Sequence, residues 1–408
     1  MEKLMDADFF RKPLEKQILS LPKVVKFCKK CVVSNQRPRI VFDEEGVCNG
    51  CRHAEHKKRG GIDWAARTEE LKRVCDKHRR NDGWWDVVVP GSGGKDSAYV
   101  AHLLKHEYGM HPLCVTWAPF KYTDIGFENF INFVDSGFTT INTFANGKVH
   151  RKLARVALEE VGDNFLPWSW GVHSFVYHMA IKYGVKLVFY GELGELEYGG
   201  DPTYSNCPNL PMERWAITHW KGTTVDDLVN YALQYKDYFK REDFSDSDLI
   251  FYRPPPVSEM KGVDIHWMSY YRNWIPQENY YYAVENTGFK ANPVRSEGTY
   301  SKYASLDDRL DGLHFYLMFT KFGIGRATSD AAHEIRDGHL TREEGVALVQ
   351  KFDHERPTRY LKECLDYLGI DEGHYWEIID SFRLPHIWKK VDGEWKLRHT
   401  VSGNGVDD

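Results

Sequence analysis

The chain has 408 residues, of which 42% are hydrophobic and 14% aromatic. That is enough to bury a large core divided over two or three domains, and it excludes a disordered chain. With 54 basic and 59 acidic residues the net charge is −5, which offers no general attraction for nucleic acid. No apolar run approaches the roughly 18 residues of a membrane span. The start Met1–Asp8 lacks the apolar core of a secretory signal. The expected setting is the cytoplasm, with no nucleic-acid partner and no membrane insertion.

Residues 1–23 form a polar extension, predicted to be helical around Glu15–Leu19 and assigned no function. Residues 24–60 carry Cys28-Lys29-Lys30-Cys31, a spacer of 16 residues, and Cys48-Asn49-Gly50-Cys51. This spacing suits a four-thiolate zinc site, because each short turn presents two sulfurs to one ion. The intervening stretch 39–47 reads as a strand and turn of a small zinc ribbon. Four protein ligands leave no open position, so the zinc is expected to be structural, contributing on the order of 10 kcal/mol to folding. An iron–sulfur cluster is the alternative occupant. The other cysteines, Cys75, Cys114, Cys207 and Cys364, are scattered as in a reducing compartment. Gly60-Gly61 then separates the ribbon from a linking segment, 61–83, with a predicted helix over Trp64–His78.

Residues 84–250 alternate strand and helix. The run Asp86–Val89 reads as a buried strand, Ala98–Leu104 as a helix, and between them lies Pro90-Gly91-Ser92-Gly93-Gly94-Lys95-Asp96-Ser97. Strand, glycine turn and helix start make an anion site: glycines let the backbone approach a phosphate, and free N–H groups and the helix dipole favour negative charge. Ser92 and Ser97 offer hydroxyls, Lys95 a cation, and Asp96 a Mg²⁺ contact or a turn cap. A Walker A loop is excluded, since Asp96 follows the lysine and Pro90 stands where that motif needs glycine. His102 and His106 lie four apart on this helix without an accompanying acid, which favours a solvated face over a metal site. Further strands are predicted at 112–117, 139–144 and 186–190, so the fold class is α/β, a doubly wound parallel sheet with ligands at the carboxyl ends of its strands. The fourth strand runs into Gly191–Gly200. If the sheet order brings that loop beside the glycine turn, Glu192, Glu195 and Glu197 can hold Mg²⁺, bind substrate or steer an amine; otherwise they form a solvated acidic turn.

Residues 251–408, beyond the stiff Pro254-Pro255-Pro256, read as mainly helical. A helix is predicted over Leu310–Phe322, and Thr341 with Glu344 forms a capping box opening another. Arg326, beside two glycines at a helix start, is suited either to a phosphate or to an ordinary surface position. Trp168, Trp170 and Tyr198 are candidates for stacking on a sugar or base, against ordinary core packing.

The motif Ser92-Gly93-Gly94-Lys95-Asp96-Ser97 resembles the PP-loop of the ATP pyrophosphatases. Together with the cysteine ribbon, Tyr190-Gly191-Glu192 through Glu197-Tyr198-Gly199-Gly200, the run Asp307–Tyr316, Lys321-Phe322-Gly323 and Arg342–Gly345, the chain is similar to the N-acetyl sugar amidotransferases over roughly residues 26–390. Leu193 stands where that resemblance leads one to expect asparagine. The family makes acetamidino groups from the acetamido groups of sugars for bacterial surface polysaccharide, including lipopolysaccharide O-antigen, and for flagellin. The resemblance implies ATP and Mg²⁺, with Ser92, Gly93, Gly94, Lys95, Asp96 and Ser97 on the phosphates and Lys302 and Arg326 assisting. It implies Lys95, Asp96, Glu192, Glu195 and Glu197 as catalytic residues and a nucleotide-linked acetamido sugar as substrate. AMP and pyrophosphate would be released, and a separate glutaminase subunit would supply ammonia. The rival reading is a tRNA-thiolating enzyme, which would need a reactive thiol such as Cys114 or Cys207 and a basic face for RNA.

Overall fold

A computed structural model describes residues 12–204, 206–210 and 214–408. Most of the amino-terminal half of the 1–23 extension, residues 1–11, lies outside them. Of the helix expected near Glu15–Leu19, one 3-10 turn, Ile18–Ser20, is present.

Five short strands make a parallel sheet: β1 Val87–Pro90, β2 Pro112–Trp117, β3 Thr140–Thr143, β4 Leu187–Tyr190 and β5 Asp264–Trp267, in the order β3-β2-β1-β4-β5. Val88 of the central strand pairs with Leu113 on one side and Val188 on the other. A strand covered on both faces needs a continuous apolar run, and Val87, Val88 and Val89 are all buried. Val87 and Val89 pack into a core with helices Lys95–His106 and Pro276–Thr287. Val88 packs with Gly147–Val161 and Leu166–Lys182 on the other face. Helices therefore cover both faces of the sheet, and the direction of strand addition reverses between β1 and β4.

β5 lies beyond residue 250, in the stretch read as the start of the helical region, so the sheet takes its last strand from there. Its sequence Asp264-Ile265-His266-Trp267 is too short and polar to announce a strand; pairing with β4 makes it one. The carboxy-terminal part contains the helices Asp311–Phe322, Arg326–Asp337, Arg342–Phe352, Leu361–Leu368 and Glu372–Ser381. A hairpin of β6 Trp388–Val391 and β7 Glu394–Leu397 follows them. Its turn, Asp392-Gly393, has φ of 51° and 85°, the pair of positive values that suits a two-residue hairpin. The capping box is formed: the Glu344 N–H donates to Thr341 Oγ1 at 3.2 Å, and Glu344 accepts from the Thr341 N–H at 2.8 Å.

Between the cysteine pairs there is no regular strand; isolated bridges Phe27–Ser34, around the first pair, and Phe42–Cys48, leading into the second, stand in its place. Cys48 then caps helix Asn49–Lys58. The ribbon packs on Ala331 and Ala332 of helix Arg326–Asp337. Among the described residues no helix is long and apolar enough to cross a membrane.

Candidate functional site

The reversal between β1 and β4 opens a crevice at the carboxyl ends of the strands, the usual place for a ligand in such sheets. Both loops singled out in the sequence leave from it. After β1 the chain turns through Gly93 at φ 81°, where a Cβ would fall 2.6 Å from Phe130 Cα. Only glycine fits there. The Gly94 N–H donates to Ser92 Oγ at 3.2 Å, Ser97 Oγ donates to the Gly94 carbonyl at 3.0 Å, and no side chain caps the helix that starts at Lys95. Its first N–H groups are thus available to an anion. After β4, a Cβ on Gly191 would lie 3.0 Å from the Trp274 ring and 3.8 Å from Asp96 Cβ. The two loops touch.

They share a cavity of about 450 Å³, closed on its far side by residues 303–308, Asp311, His314, Phe315 and Arg326. Five carboxylates line it, those of Asp96, Glu192, Asp307, Asp308 and Asp311, against the cations Lys95 and Arg326. Lys95 pairs with Asp96, whose Oδ1 also accepts from Asn279 at 3.2 Å. Burial, helped by the neighbouring Asp96 charge and opposed by Lys95, pushes Glu192 up to about 7. Burial likewise raises Asp308 to about 7 and raises Asp307 and Asp311. Asp308 is committed to backbone, accepting from Phe120 N–H at 2.5 Å and Leu310 N–H at 2.9 Å. A cavity lined by one buried and four half-buried carboxylates is suited to cations, or to anions that arrive with them.

Of the residues singled out by sequence, Ser92, Gly93, Gly94, Lys95, Asp96, Glu192 and Arg326 meet in this cavity, as do Trp168 and Tyr198. Ser97 turns its hydroxyl into the loop. Lys302 is exposed and lies outside the lining. Glu195 and Glu197 do not line it either. The short helix Gly194–Glu197 carries them toward the ribbon, where Glu195 takes Arg39 Nε at 3.0 Å and Nη2 at 2.5 Å. Lys57 Nζ lies 2.9 Å from Glu197, with His53 at 3.7 Å and His333 at 3.9 Å. Burial raises Glu197, but Lys57 and the two histidines outweigh it and hold the carboxyl at about 2. Trp170 is core, donating to the Thr223 carbonyl at 3.0 Å. The His102 and His106 rings lie 4.2 Å apart, tilted by 31°, and His102 bonds the Tyr282 hydroxyl at 2.8 Å. Asp307, Asp311 and His314 entered the sequence reading only as part of a family motif, since nothing local signals that they face residues 200 positions away.

The four ribbon cysteines are buried with all sulfurs within 4.8 Å of one another. Cys28 and Cys51 sulfurs are 3.9 Å apart, and those of Cys31 and Cys48 3.8 Å. A tetrahedron with Zn–S bonds of about 2.3 Å has an edge of about 3.8 Å, so the donor set fits a structural zinc. The Cys48 N–H donates to Cys28 Sγ at 3.3 Å, and the Arg336 guanidinium lies 3.7 and 3.6 Å from Cys31 and Cys48. The same guanidinium donates to the Glu197 carbonyl at 2.9 Å. Arg37 holds the Gly199 carbonyl and Asn49 that of Gly200, each at 2.7 Å. The ribbon thus grips both the backbone and the acids of the segment that follows Glu192.

Residues 297–401 match the family described as LPS biosynthesis protein WbpG-like, C-terminal domain. That span supplies the cavity's far wall together with the helix that buttresses the cysteines. The match supports the lipopolysaccharide and sugar-biosynthesis side of the resemblance noted above. No curated protein matches the chain.

Proposed function

We propose that the protein is an ATP-dependent amidotransferase that converts an acetamido group of a nucleotide-linked sugar to an acetamidino group. The observation that carries this reading is the contact between the Ser92–Ser97 loop and the Gly191-Glu192 turn in one cavity, with Arg326 opposite. An amide carbonyl is a poor electrophile, and its oxygen a poor leaving group. Transfer of AMP to that oxygen with release of pyrophosphate activates the carbon, and ammonia then displaces AMP. The loop N–H groups and Lys95 would receive the phosphates, and Arg326 would offset charge from the far wall. Asp96 and Glu192 are the carboxylates suited to hold Mg²⁺, which when bound would neutralise charge on the leaving pyrophosphate. Trp168, Tyr198 and Phe315 offer rings for a base or sugar. The ammonia is expected from a separate glutaminase, so the chain alone should use ammonium salts and not glutamine.

The thiolation alternative needs a thiol at the cavity, and no cysteine lines it. Cys114 is buried inside β2, where burial pushes its thiol up. The test is incubation with ATP, Mg²⁺, ammonium chloride and a panel of UDP-linked diacetamido sugars. AMP and pyrophosphate should appear in step with a product in which NH replaces O. Formation of ADP and inorganic phosphate would overturn the reading.

A further inference from the structure

Amidine formation, on the reading above, needs a proton to be carried between two nitrogens of the same adduct. When ammonia adds to the activated carbon, its nitrogen becomes cationic while the former imidate nitrogen takes up the C=N electron pair. The first must lose a proton and the second gain one before the C–O bond breaks and its electrons leave on AMP. No proton is consumed overall, so the group required is one that takes a proton and returns it.

We propose that His314 is this proton shuttle, its Nε2 facing the adduct and its Nδ1 held by the buried carboxylate of Asp163. His314, on helix Asp311–Phe322, lines the cavity that also holds the glycine loop and Glu192. Its Nδ1 lies 2.6 Å from Asp163 Oδ1. Asp163 is 3% exposed, its Oδ1 also accepts the Phe165 N–H at 3.0 Å, and its other oxygen is paired with Lys221. A carboxylate fixed on three sides can only accept from the imidazole, which places the hydrogen on Nδ1 and the lone pair on Nε2. Among the described residues Nε2 makes no hydrogen bond. Phe165 at 5.1 Å and Phe315 at 4.8 Å hold the ring between them. The arrangement is that of a base with an orienting acid.

The charge around the ring favours the neutral form. Burial first, then the positive charges of Lys221, Arg326 and Lys321, hold its pKa well below the ordinary histidine value. Asp163 and, on the same wall of the cavity as the ring, Asp308 and Asp311 are the neighbouring acids. A neutral ring keeps its Nε2 lone pair free to take the proton of the cationic adduct nitrogen. The positive charges around it make the resulting imidazolium a strong acid that gives the proton back. Asp308, by contrast, has its oxygens committed to backbone N–H groups.

The test has two arms, because the inference rests on the amidotransferase reading. In the full-length protein labelled with ¹⁵N-histidine, ring shifts identified by their loss in H314Q should show the Nδ1–H tautomer, neutral at pH 7, and D163N should change that tautomer. In the second arm, with ATP, Mg²⁺, ammonium chloride and the UDP-linked sugar panel, H314Q and D163N should lower amidine formation about 100-fold or more. Exchange of labelled pyrophosphate into ATP, which precedes the shuttle, should persist in both variants. An Nε2–H tautomer or a charged ring at pH 7 overturns the proposal whatever the reaction proves to be. So does amidine formation at the wild-type rate in H314Q. Absence of pyrophosphate exchange in the wild type would strike the amidotransferase reading, and the ring shifts would then decide the inference by themselves.

Discussion

The turn after β4 presents acids to two different environments within six residues. Glu192 faces the cavity, where among the described residues no cation pairs with it and burial with the Asp96 charge lifts it to about 7. Glu197, five residues on, is at least as enclosed, yet Lys57 and two histidines hold it at about 2. Burial alone therefore does not decide which of these acids is held ionised; the supply of fixed counter-charge does. On the ribbon side each acid has a cation from a different part of the chain. On the cavity side there are five carboxylates and two cations. The first arrangement holds a loop in place, and the second leaves charge to be matched by a ligand.

The largest effect should come from breaking the ribbon. C48S removes one of four thiolates, and the metal contributes on the order of 10 kcal/mol to folding such a unit. We expect zinc to be lost on purification. Hydrogen exchange should also quicken at Glu197 and Tyr198, whose amides close the short helix that the ribbon clamps. Zinc loss with unchanged exchange in 194–200 would break the comparison, because the paired side would then not depend on the ribbon.

Next is E197Q, which leaves Lys57, with only 8% of its side chain exposed, without its carboxylate. Stripping one partner from a buried pair costs about 3–5 kcal/mol, measurable by urea unfolding at neutral pH. The sign of the pH effect follows from the depressed value. Between the ordinary 4.5 and about 2 the unfolded chain binds the proton more tightly, so wild-type stability should fall as pH drops through that window. E197Q should flatten that fall.

How much of this was readable beforehand divides along the same line. The glycine loop, the ribbon cysteines and the Thr341–Glu344 box are local: the residues that make them lie within a few positions, or recur as a spaced motif. The meeting of Glu192 with Asp96 depended on strand order, which alternation of strand and helix limits without fixing. The pairings Lys57–Glu197 and Arg39–Glu195 span 140 and 156 positions between charged residues of ordinary type. In the sequence alone the three glutamates look equivalent, and only the tertiary direction of the Gly194–Glu197 turn separates them. β5 escaped for a related reason, since Asp264 and His266 interrupt any apolar run and its register comes entirely from β4.

The smallest and most discriminating change is E192Q, because its effect on stability should have the opposite sign. A carboxyl raised from the ordinary 4.5 to about 7 is held more tightly as the acid in the folded protein than in the unfolded chain. Wild-type stability should therefore decline as pH rises from about 4.5 to 7, with the full penalty present above 7. At about 1.4 kcal/mol per pKa unit this penalty is at most about 3.5 kcal/mol, and less where solvent enters the cavity. Glutamine keeps the shape and cannot ionise, so E192Q should match the wild type at pH 4.5 and unfold at higher urea at pH 8, while AMP formation falls. Should E192Q instead destabilise the protein at pH 8, as E197Q does, a cation must already pair with Glu192, and the division between the two faces of this turn would disappear.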